Sequence, residues 1–157
     1  MRELPIDGGR AVALVDDDDY ARLAAHVWSI SWNGYVVRRP RPDGKRRVMV
    51  YMHRDVLGVS GNELVDHKDM NKLDNRKENL RHANKSTNGA NCKKRERCSS
   101  VFKGVCWHAQ RSKWVAYVTH QQKRRYLGVF HDETAAARAY NAAASALFGE
   151  FARLNPV

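Results

Sequence analysis

Cysteine is scarce in this chain. Its three residues, Cys92, Cys98 and Cys106, are an odd number with no C-x-x-C pair. A disulfide scaffold is therefore not expected, and a reducing, cytoplasmic setting is. A zinc site on Cys92 and Cys98 with a histidine is disfavoured, since the spacing matches no familiar zinc knuckle. Long apolar runs are also missing. None approaches the ~20 residues of a membrane-spanning helix, and Met1-Arg2-Glu3-Leu4-Pro5 lacks the apolar core of a secretion signal. No membrane partner is expected. No tandem repeat or low-complexity tract stands out, and the two halves look unrelated.

Acidic residues are in deficit, 17 against 28 basic ones, for a net charge of +11 and a pI near 9.9. That passes the value of roughly 9 above which nucleic-acid binding is suspected. The positive charge is also clustered. Arg38, Arg39 and Arg41 run into Lys45, Arg46 and Arg47; Lys93, Lys94, Arg95 and Arg97 form a second run, and Lys123, Arg124 and Arg125 a third. Such clusters neutralise phosphates and release counterions.

The chain divides by pattern. Ala11–Val15 reads as a strand, and Asp16 to Asp19 cap a short helix with Tyr20, Leu23, Ala24 and Val27 on its apolar face. Trp28–Trp32 and Tyr35–Arg39 flank Asn33-Gly34, a hairpin signal. A turn at Pro42-Asp43-Gly44 leads to a strand at Arg47–Tyr51 and a short helix at Met52–Leu57. Strand Leu64–His67, a polar loop, strand Asn79–His82 and helix Ala83–Asn91 follow, in the order β-loop-β-α. Residues 92–98 read as a basic linker. Beyond it lie three strands, Val101–Trp107, Lys113–Thr119 and Lys123–Phe130, and a helix over Glu133–Leu147 capped by Asp132 or Thr134 and stopped by Gly149.

The densest chemistry is at Val65-Asp66-His67, with Asn79 and Asn88 placed 12 and 21 residues after His67. Phosphodiester hydrolysis needs an activated water and neutralisation of the phosphate. Asp66 and Asn88 offer oxygen ligands to a hard divalent cation that keeps several waters. His67, with an unperturbed pKa near 6.5, suits a general base. Neighbours on a strand point to opposite faces, so Asp66 and His67 can serve one site only if the strand twists or the scissile group spans its edge.

Met52-His53-Arg54, Val65-Asp66-His67, Asn71, Asn75, Glu78-Asn79-Leu80-Arg81 and Asn88 resemble the HNH endonuclease family in its H-N-N variant. The resemblance implies a ββα-metal fold that nicks or cuts DNA, with Asp66 and Asn88 as metal ligands and His67 as base. Asn79 would stabilise the motif loop and orient the histidine. An amide in place of a final histidine favours Mg²⁺ or Mn²⁺. Arg54, Arg81 and Lys85 are candidate phosphate contacts, with Lys93, Lys94 and Arg95 in the linker. His53 reads as a packing or phosphate-contact residue, and His82 as structural or exposed.

Phe102-Lys103-Gly104-Val105, Lys113-Trp114-Val115-Ala116, Tyr126-Leu127-Gly128-Val129-Phe130, the Ala135–Asn141 helix, Phe148-Gly149-Glu150-Phe151-Ala152 and Asn155 resemble the Apetala/ethylene-response-factor DNA-binding domain. That family lays a three-stranded antiparallel sheet in the major groove and packs a helix on its other face; the groove is about 12 Å wide. The implied contacts are Trp107, His108, Arg111, Tyr117, Thr119, Arg124 and Arg125, with Cys106, Trp114 and Tyr126 beside them. Trp107 is expected on the DNA face. Cys106 and Thr119 stand where plant members often carry guanine-reading arginines, so the plant target does not transfer.

The expected fold is thus α+β. A nuclease domain spans 1–91 with its ββα-metal core at about 64–91, and a linker at 92–98 leads to a reader domain at 99–157. The expected function is a DNA endonuclease of homing or phage type, acting on double-stranded DNA as monomer or homodimer in a bacterial or phage-infected cell. It is expected to use no small-molecule cofactor. A non-catalytic DNA-binding regulator is the alternative; it is disfavoured because Asp66, His67, Asn79 and Asn88 are all intact. RNA is the poorer substrate, since the deep A-form major groove hides base edges.

Overall fold

The computed structural model describes residues 1–40, 44, 48–61, 63–92, 94 and 99–157. The predicted turn at Pro42-Asp43 and the start of the predicted strand at Arg47 lie outside them, as do Arg41, Lys45, Arg46, Lys93, Arg95, Arg97 and Cys98. The chain is mixed α and β with several small sheets, and it splits into two compact units, Met1–Ala83 and Asn84–Val157. No helix among the described residues is long and apolar enough to cross a membrane.

The first unit opens with β1 (Arg2–Ile6) paired antiparallel to β2 (Ala11–Val15). Leu4, Ile6, Ala13 and Val15 alternate onto one buried face. The sequence reading missed β1, whose alternation is interrupted by Pro5 and makes sense only opposite β2. Helix α1 (Asp17–Ala24) follows, with three aspartates in its first turn, where the helix dipole favours negative charge. Leu23 enters the core and its carbonyl accepts the Trp28 indole N–H at 2.8 Å. Val27 is not on the helix's apolar face as expected. The helix ends at Ala24, and Val27 stands 89% exposed beyond it.

Strands β3 (Ser29–Ile30), β4 (Val36–Arg38) and β5 (Val50–Tyr51) form an antiparallel sheet, and α2 (Met52–Val56) continues from β5. Asp55 of α2 pairs with Arg22 and, at 3.1 Å, with Arg38, tying α1 and β4 together. The last pair is β6 (Leu64–His67) with β7 (Leu80–Ala83). The loop between them is anchored from below: Leu14 of β2 donates to the Leu73 carbonyl and accepts from Asn75 N–H, each at 2.8 Å.

The second unit begins with α3 (Lys85–Asn91), capped by a reciprocal Asn84/Thr87 box. Strands β8 (Val105–His108), β9 (Lys113–His120) and β10 (Lys123–Phe130) form an antiparallel sheet in the order β10-β9-β8. Helix α4 (Glu133–Phe148) is capped by Asp132 and packs Ala136, Ala137, Tyr140, Ala144 and Phe148 against Val105, Ala116 and Val118. Its small side chains bring helix and sheet so close that a Cβ at Gly104, whose φ is +77°, would overlap the Tyr140 ring. The units divide at Ala83/Asn84, upstream of the linker expected at 92–98, because α3 belongs to this second core. Ala90 is buried with Val118 and Tyr140, and the Lys103 ammonium donates to the carbonyls of Ala90 (2.5 Å), Cys92 (2.8 Å) and Gly89 (3.2 Å) at the helix end.

Candidate functional site

The β6–β7 hairpin places Asp66 and His67 on opposite sides, as strand geometry requires. Asp66 faces Arg81 in register across the pair. Its Oδ2 accepts from Arg81 Nη2 at 2.8 Å and Nε at 3.1 Å, with the two side chains only 8% and 9% exposed. His67 turns into a nest of rings: Tyr35 from the β3–β4 turn at 5.9 Å between centroids, and His53 of α2 at 5.2 Å. Tyr51 closes the nest at 5.4 Å from His53.

Burial sets the chemistry of this nest. His67 is 4% exposed, and desolvation holds its imidazole below the ordinary histidine range, opposed by the Asn75 amide and the charges of Asp69, Asp66 and Asp74. At neutral pH it is therefore a neutral base. Desolvation also drives His53 down to about 3, with the neighbouring His67 adding to the shift. The Nδ1 of His53 has no hydrogen-bond partner among the described residues. The two neutral imidazoles meet edge to face.

Asn79 is bound into the loop. Its Nδ2 donates to Asp69 Oδ1 and the Asp74 carbonyl, each at 2.9 Å, and its Oδ1 accepts from the Asp69 N–H at 3.2 Å. Asp74 in turn is chelated by Arg76, at 2.6 and 2.8 Å, which holds its carboxyl below the usual carboxylate range. This arrangement stiffens the loop that follows His67. Asn88 lies on α3, in the second unit.

Among the described residues no three His, Cys, Asp or Glu side chains converge into a metal cage. The Asp66 carboxylate is an oxygen donor of the kind a hard divalent cation prefers, and it is shared with the Arg81 guanidinium.

Other predicted contacts are engaged within the protein. Arg54 donates to the carbonyls of Gly61 at 2.6 Å and Glu63 at 3.0 Å, and Arg81 is buried on Asp66. Lys85 is exposed at the start of α3, Lys94 is half-buried, and exposed His82 pairs with Glu63 at 3.6 Å. Lys93 and Arg95 fall outside the described residues. Sequence reasoning missed Tyr35, Tyr51 and Lys72. Lys72 donates to the Asn33 carbonyl at 2.7 Å and sits 4.4 Å over the Tyr35 ring. No local pattern marks these three, because only tertiary packing brings them together around the ring nest.

In the second unit, strand parity sorts the candidate DNA contacts. Val105, Ala116 and Val118 face α4, so Cys106, His108, Tyr117 and Thr119 face away. On β10, Arg124 opposes Thr119 and Tyr126 opposes Tyr117, which puts them on that open face. Arg124 lies 3.8 Å over the Tyr117 ring, and Tyr117 meets Tyr126 edge-on at 5.7 Å. Arg111 is exposed on the 3₁₀ turn between β8 and β9. Trp107 does not lie on the open face as expected. It shares the helix side with Val105 and packs edge-on against Trp114 at 5.1 Å, half-exposed on the edge strand β8. Arg125, opposite Val118, also starts from the helix side.

Residues 46–90 match the family model for HNH endonucleases. The match supports an HNH nuclease domain in that stretch, and with it nuclease activity on DNA. No curated protein and no solved structure matches the chain.

Proposed function

We propose that this protein hydrolyses phosphodiester bonds in double-stranded DNA with one divalent ion, in the manner of homing or phage endonucleases, and that its second unit is a sheet-type DNA reader. The observation that carries the reading is a buried, neutral imidazole next in sequence to a carboxylate, on one hairpin inside the stretch that matches HNH endonucleases. The chain order β6, β7, α3 supports a ββα-metal reading, and the open face of the β8–β10 sheet carries a cation and aromatic rings suited to a groove-binding surface.

His67 is the general base in this proposal. It accepts a proton from the attacking water, and its depressed pKa keeps it ready to do so at neutral pH. In the DNA-free chain the ring is covered, so substrate approach has to uncover it. His53 and Tyr35 hold the ring, and Asn79 holds the loop that follows it. Asp66, and Asn88 by its place in the motif, are the residues proposed to hold Mg²⁺ or Mn²⁺. When bound, such an ion stabilises charge on the phosphate. One base per chain gives a nick from a monomer and paired nicks from a dimer.

The test is relaxation of a supercoiled plasmid pool carrying a randomised insert, with Mg²⁺, beside His67→Ala and EDTA controls. Open-circular product from the wild type alone is expected. Intact supercoils across the whole pool would overturn the proposal.

A further inference from the structure

Trp32 stands at the tip of the turn between β3 and β4 with its indole 93% exposed. The turn beneath it is fixed. Ser31 N–H donates to the Tyr35 carbonyl at 2.9 Å and Gly34 N–H to the Ser31 carbonyl at 2.8 Å. Gly34 takes φ +83°, and the buried Ser31 hydroxyl bonds Asn33 Oδ1 at 2.6 Å and the Tyr35 carbonyl at 2.8 Å. Lys72 clamps the same turn from the motif loop. Single exposed apolar residues are ordinary, but this is a large aromatic ring on an ordered support. Three residues further along the turn, Tyr35 packs on His67. Even fully extended, that distance is roughly 10 Å, about three base-pair steps of B-DNA.

We propose that Trp32 is a nucleobase-stacking residue, seating its indole on an unstacked base of the DNA beside the phosphate that His67 serves. The inference rests on the nuclease reading above. An aromatic ring on a preordered turn binds a base with little ordering cost. It needs no particular sequence, because every base has a π-face. In a duplex such a ring acts as a wedge that opens one step and kinks the axis. The charge decides between occupants. A net charge of +11 on each chain opposes a second copy at this spot and favours a polyanion.

The test uses the full chain with Trp32→Ala and Trp32→Phe, a duplex carrying 2-aminopurine, and the plasmid pool. Trp32→Ala is expected to lose about 5- to 150-fold in DNA affinity or kcat/KM and to lose the 2-aminopurine emission change. Trp32→Phe should keep most of both, with the unfolding midpoint unchanged in each. If the wild type cuts and Trp32→Ala binds and cuts equally well, stacking is overturned and the nuclease reading stands. If the wild type binds but never cuts, the nuclease reading falls, and the affinity difference between wild type and Trp32→Ala still decides stacking. A change of mass on gel filtration with DNA affinity intact would overturn stacking in favour of self-association.

Discussion

In the first unit the side chains of interest are hidden. His67, His53 and Asp66 are all buried, each held by specific neighbours. In the second unit the corresponding side chains lie open. Arg124, Tyr126 and Thr119 are exposed on one face of a sheet whose other face carries the core. Buried groups have shifted proton affinities and fixed geometry, which suits bond-breaking and makes each one indispensable. Open charged groups act through a summed field and replace one another in part. Substitutions should therefore be all-or-none in the first unit and graded in the second.

The sharpest break comes from His67→Ala. Loss of a general base is expected to lower nicking by ~10²–10⁴-fold while DNA binding, read by gel shift, stays within a few-fold of wild type. Equal losses of both would show that the buried nest serves the fold alone. Next is Arg81→Ala, which leaves the Asp66 carboxylate buried without that cation. Breaking a buried pair from one side costs about 3–5 kcal/mol, so the unfolding midpoint of the first unit should fall steeply. A midpoint within a degree or two of wild type would mean that Asp66 is already solvated.

Much of this contrast could be read from the chain, and the unreadable part has a common cause. Asn33-Gly34, Leu64–His67 and the Asp132 cap are local signals, and the structure places a turn, a strand and a helix start there. Asp66 and His67 were legible because spacing and residue type mark them. What they touch was not. Arg81 meets Asp66 only through the β6–β7 register, and Tyr35 reaches His67 from a different sheet. Trp107 was misplaced for a related reason: in a strand, one residue of parity decides the face, and only the packing of Val105 on α4 fixes that parity. The placement of α3 was likewise invisible, since its apolar Ala90 and the Lys103 clamp acquire meaning only beside α4.

A gentler test uses acid. Burial holds the His53 imidazole at about 3 in the folded chain, whereas the unfolded chain protonates near 6.5. The unfolded state therefore binds more protons at any pH between those values. This contribution to stability is fully present above about 6.5 and is lost as pH falls, at up to ~1.4 kcal/mol per pH unit. Denaturant midpoints measured from pH 7 to pH 4 should fall for the wild type. In His53→Leu the fall should be smaller by up to that slope. Identical slopes would place His53 in water and remove it from the nest.

The smallest effect is expected where the surface is most open. Arg124 over Tyr117 is a cation on the sheet's free face, and losing one phosphate contact lowers the salt slope of binding by about 1. Between 50 and 200 mM salt that is roughly a 3.5-fold smaller fall in affinity than for the wild type, measured by titrating a labelled duplex at each salt. Arg125→Ala, which removes a cation rooted on the helix side of the sheet, should change the slope less. If the two variants lose equal slope, strand parity does not decide which side of the sheet meets DNA. If Arg124→Ala instead abolishes binding outright, the second unit depends on single contacts as strictly as the first, and the contrast between a hidden site and an open surface fails at its weaker end.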